Sequence, residues 1–322
     1  MKGAARRRLR AAGILTAAIL LVPAVAPAQG WLPERGHGSI FLGYEYGKAH
    51  WTLYPYDVTG VRKGAYIGGP GNKIFEGEHY DQIVTADFEY GIRRGLATTV
   101  RLAWVAARYA GLNPHRDRAG QIVQADNGYY HGSLQDAEAA LRYTVLRRPF
   151  VATPFVGYLY PLRRYAVRGH AAIGYHLREF RTGVALARVL RPVIPDAYAQ
   201  VTYTYGLAER QFDHRIHRNG VDMELGYFLT PRLTLRAAAN WLRSSGGIDW
   251  FLQSAEFRQY TFVHDELANA RSWRVAGGAS YALAPGYSFY ALGYRTISGA
   301  STHAMNGAAT GVGWSFSMPW AD

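Results

Sequence analysis

The residues Ile83-Val84-Thr85-Ala86-Asp87-Phe88-Glu89-Tyr90 alternate between two characters, Thr85, Asp87 and Glu89 on one side and Val84, Ala86, Phe88 and Tyr90 on the other. A repeat of two is the period of a β-strand whose faces meet different surroundings. The same division runs through Ala199 to Tyr205 and through Leu233 to Trp241. The stretch from Asp136 to Val145 is rich enough in alanine and leucine to suit a helix. As a helix, however, it would set Asp136 and Glu138 on nearly opposite sides. As a strand it gathers Asp136, Glu138 and Arg142 on one face against Ala137, Ala139, Leu141, Tyr143 and Val145, and the strand pattern is the consistent one.

About twelve such segments follow one another, near residues 38–53, 78–92, 97–109, 132–147, 151–163, 178–190, 196–210, 216–230, 233–244, 271–284, 287–298 and 305–320. The 24 Tyr, 13 Phe, 8 Trp and 36 Gly suit strands better than helices. Tight, turn-forming connections such as Arg93-Arg94-Gly95, Thr230-Pro231-Arg232 and Ala284-Pro285-Gly286 alternate with connections of which four are long: 54–77, 110–131, 164–177 and 245–270. Connections 211–215 and 299–304, on the long side, are short. An even strand number with short turns at one end and long loops at the other is the pattern of a bacterial outer-membrane barrel.

The chain opens with Lys2, Arg6, Arg7, Arg8 and Arg10 before an apolar run ending in Ala26-Pro27-Ala28. This predicts a signal peptide over residues 1–28, cleaved before Gln29, and export of residues 29–322 as one barrel. No later run approaches the roughly 20 apolar residues of a transmembrane helix. There is no cysteine, so nothing in the fold relies on disulfides. Removing the five basic leader residues from a formal charge of +13 leaves +8, spread along the chain, which gives no case for a nucleic-acid partner.

A soluble barrel would turn its apolar face inward; a barrel in lipid turns it outward and its charges in. The second arrangement puts Glu45, Asp87, Glu89, Arg101, Asp136, Glu138, Arg142, Asp222, Glu224, Arg236 and Arg274 along the lumen. Tyr90, Tyr143, Tyr227, Phe228 and Tyr281 lie near tight turns, where an aromatic girdle belongs. The aromatic-rich Phe316 to Trp320 suits a closing strand. Loop tips at Gly69 and Gly247 are expected to accept insertions.

Two histidine arrangements invite chemistry. His131-Gly132-Ser133 resembles the histidine-x-serine pair of outer-membrane phospholipase A, and both residues share the parity of the outward Ala137 and Leu141. That family follows its serine with Asn-Gly, whereas Leu134-Gln135 follow here, and a histidine without an orienting partner is a poor general base. His214 and His217 have metal-ligand spacing for a helix, but the arginines flanking them repel a cation, so no metal site is assigned.

The run Asp126-Asn127-Gly128-Tyr129-Tyr130-His131-Gly132-Ser133-Leu134-Gln135-Asp136, followed by Arg142, Tyr160-Pro161 and Tyr165, resembles the outer-membrane transporters associated with phenol meta-cleavage pathways. Gly38 to Tyr44 and Tyr90-Gly91-Ile92 resemble the same group, so the likeness runs over most of the mature chain. It implies uptake of small, hydrophobic or aromatic compounds. The expectation is thus an all-β protein, a monomeric up-and-down antiparallel transmembrane β-barrel of about twelve strands in the outer membrane of a diderm bacterium. Its expected partners are outer-membrane lipid and small solutes, with no cofactor, and it is expected to be a channel rather than an enzyme. A lipid-modifying barrel using His131 and Ser133 and a structural or adhesive barrel are the alternatives.

Overall fold

The computed structural model describes residues 30–58, 62–63, 66–68, 71–111, 113–251 and 254–318. The expected leader, Gly69 and the last residues after Met318 lie outside the described residues. The alternating segments pair into one antiparallel sheet that closes on itself. In chain order its strands are β1 (His37–Leu53), the short β2 (Arg62–Lys63), β3 (Tyr66–Gly68) and β4 (Lys73–Phe75), β5 (Gly77–Arg93) and β6 (Leu96–Gly111). There follow β7 (His131–Leu134), β8 (Asp136–Tyr143), β9 (Val151–Pro161), β10 (Glu179–Val189), β11 (Ala197–Gln211) and β12 (His214–Phe228). The last are β13 (Leu233–Ser245), β14 (Arg271–Ala284), β15 (Tyr287–Ala300) and β16 (Thr302–Ser317).

Counting β7 and β8 as one broken stave, and setting aside β2 to β4 in the first long loop, twelve staves make the wall. They fall on the twelve segments expected from periodicity, with ends shifted by a few residues. Each stave pairs with its sequence neighbour along the wall, and β16 returns to β1 to close the barrel, with paired residues at the two ends of that seam, His37 with Ser317, Thr52 with His303 and Leu53 with Thr302. At the tight turns Arg94-Gly95 and Pro285-Gly286 the glycines take φ of 76° and 79°, the left-handed region that a Cβ disfavours.

The outside of the wall is apolar. On β8, Leu141 is 50% and Tyr143 48% exposed, while Arg142 between them is 9% exposed. Leu42, Leu102, Val156, Val201, Leu225 and Val312 continue the exposed belt around the barrel. Among the described residues no helix is long and apolar enough to cross a membrane, so the crossing is made by strands. This is an outer-membrane β-barrel, with Tyr143, Tyr227, Phe228 and Tyr281 exposed near the tight turns, as an interfacial girdle requires.

One parity is inverted. Arg101 pairs with Glu138, but Trp104 pairs with Leu134, so the ladder gains one residue at Gln135. A one-residue bulge exchanges the two faces of everything beyond it. Ser133 and His131 therefore stand opposite Val105 and Ala107, which are 3% and 0% exposed, and face inward rather than toward lipid as their spacing from Ala137 implied.

The long loops fold into the barrel mouth. Leu177, Ile216, Ile248, Phe257 and Leu267 form a buried cluster that seats segment 246–270 on the inner wall, with the short helix α1 (Ala255–Gln259) capped by Ser254, whose Oγ accepts from the Phe257 amide. Tyr54, Val58 and Ile74 pack beside it against Trp250. Gly247 is consequently no loop tip: its N–H donates to Asn269 Oδ1, the Asn269 amide donates back to its carbonyl, and Ile248 is fully buried.

Candidate functional site

All eleven charged residues expected along the lumen share the inward face, and the structure ties them into pairs. Arg101 Nε meets Asp87 at 2.6 Å, Arg142 Nη1 meets Glu89 at 3.0 Å and Arg274 Nη1 meets Glu45 at 3.6 Å. Arg236 pairs with Glu224, Asn240 donates to Asp222 at 2.7 Å, and Tyr165 donates to Asp136 at 2.6 Å. Several pairs skip staves. Arg142 and Glu89 lie on β8 and β5 with β6 between them, a reach available only on the concave side.

Three residues missed from the sequence complete this network. Arg181 joins Glu138 at 2.5 Å to Glu179 at 2.7 Å, and Arg218 also binds Glu179, which is 1% exposed. The alternation Glu179, Arg181, Gly183 against Phe180, Thr182, Val184 carries the same period-two signal for Glu179 and Arg181. The Arg218 guanidinium sits over the Tyr175 ring, 4.3 Å from its centroid, joining wall to loop.

Toward the tight turns the lumen widens into a cavity of about 930 Å³. Ion-paired Arg142, Arg181 and Arg236 share its lining with the rings of Phe41, Tyr198 and Tyr290. Trp31, Leu32 and Pro33 line it as well. Residues 30–36 cross the mouth as a strap. Gly36 donates to the Gly91 carbonyl beside β1, whereas Gly30 donates to Gln200 Oε1 and accepts from Thr153 Oγ1, on staves across the barrel. Trp31 packs edge-on against Tyr198 at 5.9 Å. A Cβ on Gly91 would come within 2.0 Å of the Glu34 carbonyl oxygen, so only glycine allows the strap this close.

The residues singled out by motif act as a clasp for segment 162–178. His131 Nε2 contacts the Ala171 carbonyl at 2.8 Å, Gln135 donates to the Ile173 carbonyl at 2.6 Å, and Tyr165 bridges Asp136 to the His176 amide. Ser133 donates to the Leu134 carbonyl. His131 and Ser133 thus have separate partners and form no catalytic pair. His214 and His217 lie on β12 rather than in a loop; an odd spacing puts them on opposite faces, and His217 is engaged with Tyr205 at 2.5 Å.

The loops concentrate titratable groups that the sequence left scattered. His115, His170 and His264 meet Asp126 and Asp265 in the cap. Burial alone would raise the Asp265 carboxyl, but His264, His115 and the Gly169 amide outweigh it and hold it far below the usual range. Burial pushes His170 down and Glu266 up to about 7.

No family model matches the chain, and no curated protein does. Among solved structures it is similar to the COG4313 outer membrane channel from Pseudomonas putida F1, at 9% identity over 91% of this chain and all of that one, with a TM-score of 0.62. The chain has this fold. The translocator domain of the autotransporter NalP from Neisseria meningitidis is 11% identical over 88% of this chain and 90% of its own, with a TM-score of 0.48. The KdgM porin is 9% identical over 86% of this chain and 99% of its own, with a TM-score of 0.41.

Proposed function

We infer that the chain is a monomeric outer-membrane channel for passive uptake of small, partly apolar or aromatic solutes. The observation that carries this reading is the cavity of about 930 Å³ lined by both aromatic rings and ion-paired arginines. Its rings offer faces on which a planar solute can stack, while the arginines can take a carboxylate or phenolate oxygen without being unpaired from their glutamates. Salt-bridged walls discriminate by shape and polarity more than by net charge. Passage requires the strap at one end and segment 246–270 at the other to yield, so we read the channel as gated. Small solutes and outer-membrane lipid are then its partners.

The experiment is flux into liposomes carrying the refolded protein, with a panel of aromatic acids, neutral aromatics and sugars of similar size. Folding is verified by a shifted gel position before boiling, and the N-terminus of the exported protein is sequenced, with Gln29 expected. Aromatic solutes should enter faster than sugars. A folded barrel that passes none of the panel, with or without the strap, would overturn the reading and leave the structural barrel in its place.

A further inference from the structure

His115 and His264 come from loops on opposite sides of the barrel. His115 lies in segment 112–130, between β6 and β7, and His264 in segment 246–270, between β13 and β14. Their Nε2 atoms nevertheless stand 3.3 Å apart in the cap, with the rings stacked at 5.1 Å. The other nitrogen of each ring faces a group that can only accept: His115 Nδ1 donates to the Asp126 carboxylate and His264 Nδ1 to the Thr261 carbonyl, each at 2.7 Å. If both rings are neutral, these tautomers aim two Nε2 lone pairs at one point. Asp265 brings a carboxylate to the same point, Oδ1 at 3.0 Å from His264 Nε2 and Oδ2 at 3.7 Å from His115 Nε2.

Two facing lone pairs and a carboxylate repel unless a cation or a proton lies among them. Donors about 2.0–2.1 Å from a tetrahedral zinc ion lie roughly 3.3 Å from one another. The two Nε2 atoms stand at that separation, 3.3 Å, and one ligand atom from each of His115, His264 and Asp265 lies within 4.8 Å of the other two. The surroundings are those of a built site. The Asp126 side chain is fully buried and also accepts the His115 backbone N–H at 2.7 Å, and the Gly169 N–H at 2.8 Å orients Asp265 Oδ2. A carboxylate behind a ligating imidazole fixes its tautomer and raises its basicity. Arg168 offsets part of the charge of Asp265, and the remaining negative charge suits a divalent ion.

We propose that His115, His264 and Asp265 bind a divalent transition metal of the zinc type, with Asp126 as the positioning residue, and that the ion staples loops 112–130 and 246–270 across the barrel mouth. Two imidazoles and one carboxylate favour zinc over calcium or magnesium, which prefer oxygen donors. The fourth position is left to water. The sequence offered no such site because His115 and His264 are separated by 149 residues and by half the barrel circumference.

The test uses the refolded barrel, stripped with a chelator and titrated with Zn²⁺ alone against a chromogenic competitor. One Zn²⁺ per chain should bind, with affinity weakened about tenfold or more in His264→Ala and Asp265→Asn and more mildly in Asp126→Asn. His214→Ala, outside the cluster, should bind as the wild type does. Each variant is checked for the unboiled gel shift, and the substituted cluster side chains lie in the loops rather than on the staves. Zn²⁺ should also slow hydrogen exchange in both loops of the wild type. Absence of binding to the folded wild type would assign the cluster to a proton, with His264 as an imidazolium on Asp265, and overturn the proposal. Binding that survives both His264→Ala and Asp265→Asn would likewise overturn it, and exchange unchanged by bound Zn²⁺ would remove the staple.

Discussion

Arg142 reaches past β6 to Glu89, Nη1 to Oε1 at 3.0 Å, with both side chains only 10% exposed. On sequence grounds Arg142→Ala should spare assembly and shift selectivity toward cations. The buried pair alters that expectation, because removing one member leaves the other charged and uncompensated, at a cost of roughly 3–5 kcal/mol. Urea unfolding of Arg142→Ala, Glu89→Gln and the double variant should show the double variant more stable than Arg142→Ala alone. Equal midpoints for those two would mean that the pair is solvated and structurally idle.

The outward face can be tested at two depths. Leu102 is six residues into β6 from its tight turn, near the middle of the belt, whereas Leu141 is two residues from the end of β8. Leu102→Arg should cost roughly 2–4 kcal/mol and Leu141→Arg about 1 kcal/mol or less, since the penalty falls toward the interface. Folded yield in lipid vesicles measures both. A Leu102→Arg barrel that assembles as well as the wild type would reverse the assignment of faces.

Arg181 is the cation to remove for selectivity. It is a quarter exposed and binds two glutamates, so Arg181→Gln leaves Glu138 and Glu179 lining the path with less compensation. Reversal potentials under a salt gradient should move toward cation preference. No movement would place the ion path elsewhere.

The strap predicts a conductance effect without any change in the charged lining of the lumen. Gly91→Val cannot coexist with the Glu34 carbonyl where it lies, so the strap must leave the mouth. Conductance should rise several-fold relative to wild type, and deletion of residues 30–35 should match it. If both variants conduct as the wild type does, the strap is not a barrier.

Epitope insertion distinguishes a loop tip from a loop that is part of the cap. Gly120 has φ of 81° and nothing within 4 Å of a would-be Cβ, so an insertion there should be tolerated and should label whole cells. The same insertion at Gly247 should lower folded yield, because it breaks the Gly247–Asn269 pairing beside Ile248.

The sequence by itself determined the staves. Period-two alternation is a local property, so Asp136, Glu138 and Arg142 declare a shared face without knowledge of the other strands, and the loop asymmetry points to the lipid-facing side. Its reach ended where geometry became non-local. The bulge at Gln135 exchanges the faces of His131 and Ser133, and no residue type announces it. The partners of Arg142 and Arg181 follow from barrel curvature, which brings staves two apart within reach of one arginine. Gly247 reads as a loop tip but is pinned to Asn269 beside the buried Ile248, because the apolar residues of segment 246–270, too sparse to read as an element, find an inner wall to pack on. His115 and His264 meet for the same reason: closing the barrel fixes where opposite loops rise, and only that closure decides which side chains converge over the lumen.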